Sequence, residues 1–134
     1  MAINQTSKGL HISLWIAQGL LAAAFGMAGF MKTTAPLEQL AQNGMTFVTD
    51  FGTGMVRFIG ISEILGAIGL ILPSALRIKP VFTPLAALGL AVIMLLATGY
   101  HLMHGEPFAA SLAILFITLF IAYGRFVKVP VQSK

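Results

Sequence analysis

The sequence predicts an all-α fold, an antiparallel four-helix transmembrane bundle with both termini in the cytoplasm. Of its 134 residues, 57% are hydrophobic and only 9% are charged. A soluble domain carries about 25% charged residues, and a chain this short could not bury so much apolar surface in a soluble fold. Four apolar segments are long enough to cross a bilayer as helices. They lie at about residues 11–31, 54–72, 83–101 and 108–124, within a single membrane domain of residues 1–134.

The first span has one polar and small-residue face at heptad spacing. Residues spaced 4-3-4-3 lie on one side of a helix, so this face is expected to point into the bundle. The opposite positions Ile16, Leu20 and Met27 are apolar and are predicted to face lipid. The apolar run is longer than that of a cleaved signal peptide and more spans follow, which indicates a retained helix. The inward face consists of His11, Trp15, Gln18, Ala22, Phe25, Gly29 and Lys32.

The outer connection, residues 33–53, is the longest segment between spans. Pro36 is suited to the first position of a helix, and Asn43-Gly44 is a stop signal, so a short helix at the membrane surface is predicted between them. Asp50 or Thr53 is expected to cap the second span, since both side chains accept hydrogen bonds from the first backbone amides of a helix.

The second span carries Glu63 near its middle. An ionisable group inside a membrane span is costly, so it indicates either function or a buried structural partner. Arg57 lies six residues earlier, about 9 Å along the helix and roughly 120° around it, so the two do not form an easy intrahelical pair. Glu63 is therefore predicted to pair with another helix or to stay protonated. Its face is small and apolar: Gly60, Glu63, Gly66, Ala67 and Leu70.

The third and fourth spans are plainer. Thr83 is expected to cap the third span with Pro84 as its first residue. On the fourth span Ser111 and Thr118 are seven residues apart, so they share a face. The third span presents a stripe at helical spacing that consists of Ala87, Leu90, Met94, Ala97 and His101.

The basic residues divide unequally between the two sides of a four-span protein. Lys32 and Arg57 lie on one side, together with the acidic residues Glu38, Asp50 and Glu106. The positive-inside rule places the more basic side, and with it both termini, in the cytoplasm. That side carries Lys8, Arg77, Lys79, Arg125, Lys128 and Lys134.

Five polar residues of the first three spans predict a ligand-binding funnel that opens toward the outer face: Gln18, Lys32, Arg57, Glu63 and His101. Transmembrane bundles hold ligands between facing helices, with a few polar groups in an apolar pocket. A quinone or a lipid headgroup would suit these hydrogen-bonding groups. The structural alternative is that Glu63 bonds Gln18, Lys32 or a neighbouring span and only locks the bundle together.

Other kinds of site receive less support. His101 and His104 with Glu106 resemble a metal site, but nothing completes a coordination set, and no metal site is predicted. No nucleophile–base pair or phosphate-binding loop is present, so catalytic residues are not assigned. The basic residues form no patch, which argues against nucleic acid. The chain has no cysteine, so it has no thiol redox chemistry of its own.

The order of polar and small residues resembles that of the DoxX-like family of small four-span membrane proteins, which are mostly bacterial. The resemblance implies a location in the inner (plasma) membrane and a polar core of Lys32, Arg57 and Glu63, with His101 less closely matched. Some relatives belong to a thiosulfate:quinone oxidoreductase, and others to oxidative-stress complexes, cargo reception or receptor assembly. The residues that carry it are Gln18, Ala22, Phe25, Gly29, Lys32, Arg57, Glu63, Gly66, Gly69, Leu70, Pro73, Pro84, Ala86, Ala87, Met94, Ala97 and His101.

Together these observations favour a non-enzymatic membrane protein that binds a lipophilic ligand or a partner's transmembrane helix. The alternatives are an accessory subunit that presents quinone to a membrane oxidoreductase and an assembly factor for other membrane proteins. No cofactor is predicted apart from quinone as a ligand, and the expected partners are membrane lipid and another membrane protein. The small residues Ala23 and Gly26, beside Met27, would permit a homodimer.

Overall fold

The computed structural model of the chain describes residues 5–134, with side chains from residue 7 onward, so the N-terminus lies outside the described residues. The described part of the chain is helical and contains no strand. Its elements are α1 (Gln5–Thr34), α2 (Leu37–Gln42), α3 (Val48–Leu76), α4 (Phe82–Met103) and α5 (Ala109–Tyr123), followed by a π-helical turn (Gly124–Lys128).

Four of the helices are long and apolar enough to cross a membrane: Ser7–Thr34, Val48–Leu76, Phe82–Met103 and Ala109–Lys128. This confirms the predicted all-α fold with four spans. Every backbone group of a helix except those at its ends is bonded within the helix, which is why helices can enter lipid. The four helices pack around a core that includes Leu14, Phe25, Leu70, Leu90 and Ile121.

Helices α1 and α3 meet where glycines remove the side chains between them. A Cβ atom on Gly29 would lie 2.6 Å from the backbone oxygen of Gly60, and one on Gly60 would lie 2.8 Å from that of Gly29. Gly26 faces Ala67 further along the same contact. Higher numbers in α1 therefore meet lower numbers in α3. Small residues allow this approach, and the close backbone packing supplies the dispersion energy that holds membrane helices together.

The predicted inward faces are confirmed. On α1, Gln18, Phe25 and Gly29 are buried, whereas the opposite residues Leu20 and Met27 are 67% and 69% exposed. The stripes of α3 and α4 are likewise buried or half-buried along their length. The small residues that would permit a homodimer do not form one exposed surface. Ala23 and Met27 are exposed, but Gly26 faces α3.

The connection between α1 and α3 contains the predicted short helix, with Pro36 just before it and Asn43 just after it. The expected caps of α3 are wrong. Helix α3 begins at Val48 without a side-chain cap, and its first turn is separated from the rest by Gly52, whose φ of 78° and ψ of 171° are not helical. Since φ is positive there, glycine suits the position. Asp50 therefore does not cap α3.

The expected cap of α4 is also wrong, because this helix begins at Phe82. Thr83 is buried, and its hydroxyl donates to the backbone oxygen of Gly69 at 3.0 Å and accepts from the hydroxyl of Ser74 at 2.7 Å. The hydroxyl thus ties α4 to α3. A buried polar group must find such a partner in a membrane, where no water is available to it.

The glycine contact between α1 and α3 predicts a position-specific effect of one methyl group. Gly29→Ala should lower the free energy of unfolding by about 1–3 kcal/mol, because the methyl group meets the Gly60 backbone rather than a movable side chain. Gly19→Ala is the matched control on the same helix, since nothing lies within 4 Å of its Cβ position. It should be neutral or stabilising by up to about 1 kcal/mol, through helix propensity. Unfolding in mixed micelles with increasing dodecyl sulfate measures both, and equal effects would contradict the close packing.

Candidate functional site

A buried ion pair joins the last turn of α1 to the middle of α3. The ammonium Nζ of Lys32 lies 2.5 Å from Oε1 of Glu63, and the two side chains are 11% and 1% exposed. Side chains on a helix lean toward its N-terminus. Because the contacts between α1 and α3 run in opposite chain directions, the two side chains lean toward each other. This is the interhelical partner that the position of Glu63 predicted.

Arg57 lies beside this pair but bonds to backbone. Its Nη1 donates to the carbonyl oxygens of Lys32 at 2.8 Å and Ala35 at 2.7 Å. The last carbonyls of a helix have no partner within the helix, and the C-terminal end carries a partial negative charge. Arg57 therefore caps α1 and fixes the backbone from which the Lys32 side chain extends.

A cavity of about 440 Å³ lies between α3, α4 and the outer connection, with Lys32 in its wall. We call it the aromatic cavity. Its lining is mostly apolar, and the Lys32 ammonium lies 5.5 Å from the centre of the Phe47 ring. The polar members of the lining are Lys32, Ser62, Tyr100 and His101. The lining consists of Lys32, Phe47, Phe51, Met55, Phe58, Ile59, Ser62, Ile93, Met94, Leu96, Ala97, Tyr100 and His101.

Two groups of hydrogen bonds hold the outer connection against the last turn of α4 and the loop that follows it. In the first, the hydroxyl of Tyr100 donates to Asp50 at 2.5 Å, and the imidazole of His104 stacks on the Tyr100 ring at 4.0 Å. In the second, Glu106 accepts from Thr46 at 2.5 Å and pairs with Nδ1 of His101 at 2.9 Å. These contacts close the end of the aromatic cavity, where the rings of Phe47, Phe51 and Tyr100 meet.

The hydrogen bond from Thr46, followed by that from His101, lowers the pKa of the Glu106 carboxyl below its usual value of 4.5. Glu106 is therefore ionised at neutral pH and can accept both bonds. His101 and His104 direct their Nδ1 atoms to different partners, Glu106 and the backbone oxygen of Tyr100. Among the described residues, no group of three or more histidine and acidic side chains is arranged to hold a metal ion.

The structure distributes the five predicted site residues between two places. Lys32 and Glu63 form the ion pair, Arg57 supports it, and Lys32 and His101 line the aromatic cavity. Gln18 lies elsewhere. Its Nε2 donates to the Leu70 carbonyl at 2.6 Å, two helical turns from Glu63 along α3.

Gln18 belongs to a second polar cluster around Arg125. Its Oε1 accepts from Nε of Arg125 at 2.7 Å, and the guanidinium lies 5.6 Å from the ring centre of Trp15. Sequence reasoning placed Arg125 only among the basic residues that flank the membrane. One feature of the sequence could have indicated the buried position of Arg125. The stripe of His11, Trp15 and Gln18 places hydrogen-bonding groups on the inward face near the start of α1.

The whole arrangement lies on four membrane-length helices with a polar core at Lys32, Arg57 and Glu63. The model of the DoxX-like family matches residues 16–123. The chain belongs to the DoxX-like family. No curated protein and no solved structure shows significant similarity to it. The family match covers the ion pair and the aromatic cavity of this DoxX-like protein, whereas His11 and Arg125 lie outside the matched residues.

The ion pair of this DoxX-like protein should behave as a unit. Lys32→Met or Glu63→Met alone should lower the free energy of unfolding by about 3–5 kcal/mol, since each leaves a buried charge without its partner. The double variant should lose much less free energy of unfolding than the two single variants together, because an apolar pair can replace a buried ion pair at little cost.

A double-mutant cycle by unfolding in mixed micelles measures this coupling. Glu38→Gln is the control, because Glu38 is an exposed carboxylate on α2 and should have little effect. Strictly additive effects of the two single variants would show that Lys32 and Glu63 do not interact.

The contacts of Glu106 predict a pH-dependent closure of the outer connection. Because the folded-state pKa of Glu106 is below 4.5, its stabilising contribution is complete above pH 4.5 and is lost as the pH falls through the lower value. Glu106→Ala should therefore speed hydrogen exchange of residues 43–52 at pH 7, after correction for intrinsic rates, and the difference from the wild type should shrink as the pH falls below 4.5. A difference that does not shrink as the pH is lowered would contradict this role.

Proposed function

We propose that this protein is a multi-pass protein of a bacterial inner membrane that binds a lipophilic carbonyl compound, such as a quinone, in the aromatic cavity. In this proposal the four helices run antiparallel with both termini in the cytoplasm, and the aromatic cavity lies toward the outer face. The observation that carries the proposal is a mostly apolar cavity with one ammonium group in its wall.

The size and lining of the cavity support a small ligand. Its volume of about 440 Å³ falls in the range of about 300–1,000 Å³ typical of ligand pockets. Such pockets are apolar with a few polar groups that orient the ligand. Rings from Phe47, Phe51 and Tyr100 would contact the faces of a planar ligand.

The chemistry of the polar groups favours a hydrogen-bond acceptor such as a carbonyl. An ammonium group has three donors, and the pair with Glu63 occupies one of those on Lys32. Ser62 lies in the same lining, but its hydroxyl already donates to the backbone oxygen of Phe58 at 2.8 Å, so the remaining donors of Lys32 carry this argument. Glu63 itself is not part of the lining, so its role in the proposal is to hold the Lys32 ammonium in place.

Entry from the lipid phase is supported by exposure on one side of the cavity. Phe58 is 65% exposed and Leu96 68% exposed, and they belong to different walls, on α3 and α4. Met55 is half-exposed beside them. Since these apolar side chains would face acyl chains, a lipophilic ligand would reach the cavity without crossing water.

A binding role is favoured over catalysis because the ionisable groups around the cavity are engaged with one another. Lys32 pairs with Glu63, Tyr100 with Asp50, and His101 with Glu106. Each pair holds its side chains in a fixed orientation, which suits the few orienting polar groups of a binding pocket.

The second candidate is an accessory subunit that presents quinone to a membrane oxidoreductase. The exposed side chains of Phe58 and Leu96 in the cavity lining favour it, because a partner helix could lie against them and receive the ligand. In both candidates the ligand occupies the same cavity. If the cavity held only a partner's helix, or if the protein were an assembly factor without a small ligand, quinone would not bind in the cavity.

Filling the cavity should abolish binding without unfolding the protein. Decylubiquinone should raise the unfolding temperature of the wild type in detergent, and the quinone should appear as a bound mass in native mass spectrometry. Ala97→Phe places a ring inside the lining and should remove both signals. Ala113→Phe makes the same change at an exposed position of α5 and should retain them. No stabilisation of the wild type, or the same signals in both variants, would refute the quinone site.

A further inference from the structure

The second polar cluster contains a buried cation whose donors are only partly used. Arg125 is 3% exposed. Its Nε donates to Gln18, and its Nη1 contacts the backbone oxygen of Val129 and Nδ1 of His11, both at 2.9 Å. Its Nη2 is buried and has no hydrogen-bond partner among the described residues. A buried donor without a partner is unusual and needs an explanation, because it loses its bonds to water and gains none.

The positive charge of Arg125 also lacks a carboxylate. The chain has only four acidic residues. Three of them are engaged elsewhere: Glu63 with Lys32, Asp50 with Tyr100, and Glu106 with Thr46. The fourth, Glu38, lies in the first turn of α2. Gln18, Val129 and His11 are neutral acceptors, so the described side chains solvate the guanidinium without neutralising it. A buried charge is ordinarily paired.

The local backbone places Arg125 inward rather than at the surface. Helix α5 continues as a π-helical turn at Gly124–Lys128. Gly124 lies against Leu14 of α1, so closely that a Cβ atom on it would be 2.6 Å from that side chain. This close approach brings the Arg125 side chain to Gln18, which also lies on α1. π-helical turns of this kind occur frequently at functional sites.

A cavity of about 340 Å³ adjoins this cation. It lies between the connection from α3 to α4 and the C-terminal segment, and its lining includes Arg125, Lys79 and Ser133 together with Phe82, Phe126 and Pro130. The C-terminal segment is fastened there, because Nε of Arg77 donates to the backbone oxygen of Gln132 at 2.8 Å. Two basic residues and a serine therefore line one cavity, and its lining contains no acidic residue.

We infer that the cavity lined by Arg125 and Lys79 binds an anionic phosphate group. Guanidinium and ammonium groups with a hydroxyl are the donors that phosphate oxygens prefer. Phosphate would supply the counter-charge that Arg125 lacks. The exposed apolar side chains Phe82 and Phe126 beside the cavity suit the acyl chains of an anionic phospholipid. Free phosphate presents the same oxygens, so the two sources are separated by experiment.

The test measures retention of lipid and response to phosphate in the full-length protein. Native mass spectrometry from nanodiscs compares phosphatidylglycerol with phosphatidylcholine. Thermal unfolding in detergent compares inorganic phosphate with chloride at equal ionic strength. Arg125→Gln removes the buried cation, and Lys79→Ala is the second variant, because Lys79 is exposed and its loss should not disturb folding. Lys128→Ala is the control. Lys128 is exposed and lies in the same π-helical turn as Arg125, but it is not part of the cavity lining.

We expect the wild type and Lys128→Ala to retain phosphatidylglycerol selectively, or to be stabilised by inorganic phosphate. Lys79→Ala should weaken that binding about five-fold, as expected for the loss of one interfacial lysine. Arg125→Gln should weaken it further. Selective retention of phosphatidylglycerol identifies a lipid headgroup, and a response to inorganic phosphate alone identifies the free ion. Equal retention of both lipids without a phosphate response overturns the proposal. So does an equal loss in Lys79→Ala and Lys128→Ala, which would indicate diffuse surface charge.

Discussion

The ion pair between Lys32 and Glu63 joins α1 to α3 in the interior of the helical bundle. A charged group in the interior of a membrane bundle is costly without a partner of opposite charge, and Glu63 finds that partner on another helix. The pair forms where Gly29 and Gly60 bring the backbones of α1 and α3 together. Arg57 then fixes the end of α1 from which Lys32 extends. Glycine packing, helix capping and charge pairing thus act at one place.

The same pair links the fold to the proposed function. Glu63 bonds the Lys32 ammonium but does not line the aromatic cavity. Lys32 does line it, and the other walls are largely aromatic and aliphatic. The outer connection closes the end of that cavity through Asp50 and Glu106, which places most of the acidic side chains of the protein at this end. The opposite end is left with basic residues and a buried guanidinium at Arg125. This asymmetry is the basis for proposing two different ligand chemistries, a carbonyl compound at one end and a phosphate group at the other.

Much of the fold could be predicted from the sequence because membrane helices reveal themselves by length and by the periodicity of polar residues. The inward face of α1 and the need of Glu63 for an interhelical partner are both confirmed. The predicted caps of α3 were wrong because an additional helical turn, which begins at Val48, precedes the non-helical Gly52. The role of Arg125 could not be predicted, since a cation at the end of a span usually remains at the membrane surface. Its burial depends on the close contact of Gly124 with Leu14, which no local pattern encodes.

Contact between the Lys32 ammonium and the Glu63 carboxylate within the membrane can be measured by magic-angle-spinning NMR in lipid bilayers. The protein would carry nitrogen-15 in its lysine side chains and carbon-13 in its glutamate carboxyls. The structure predicts a through-space dipolar coupling between a lysine Nζ and the carboxyl carbon of an ionised glutamate, because Nζ lies 2.5 Å from Oε1 of Glu63, and the loss of this coupling in Glu63→Gln. A carboxyl signal of Glu63 without a lysine coupling would contradict the account and would leave the polar core without its organising interaction.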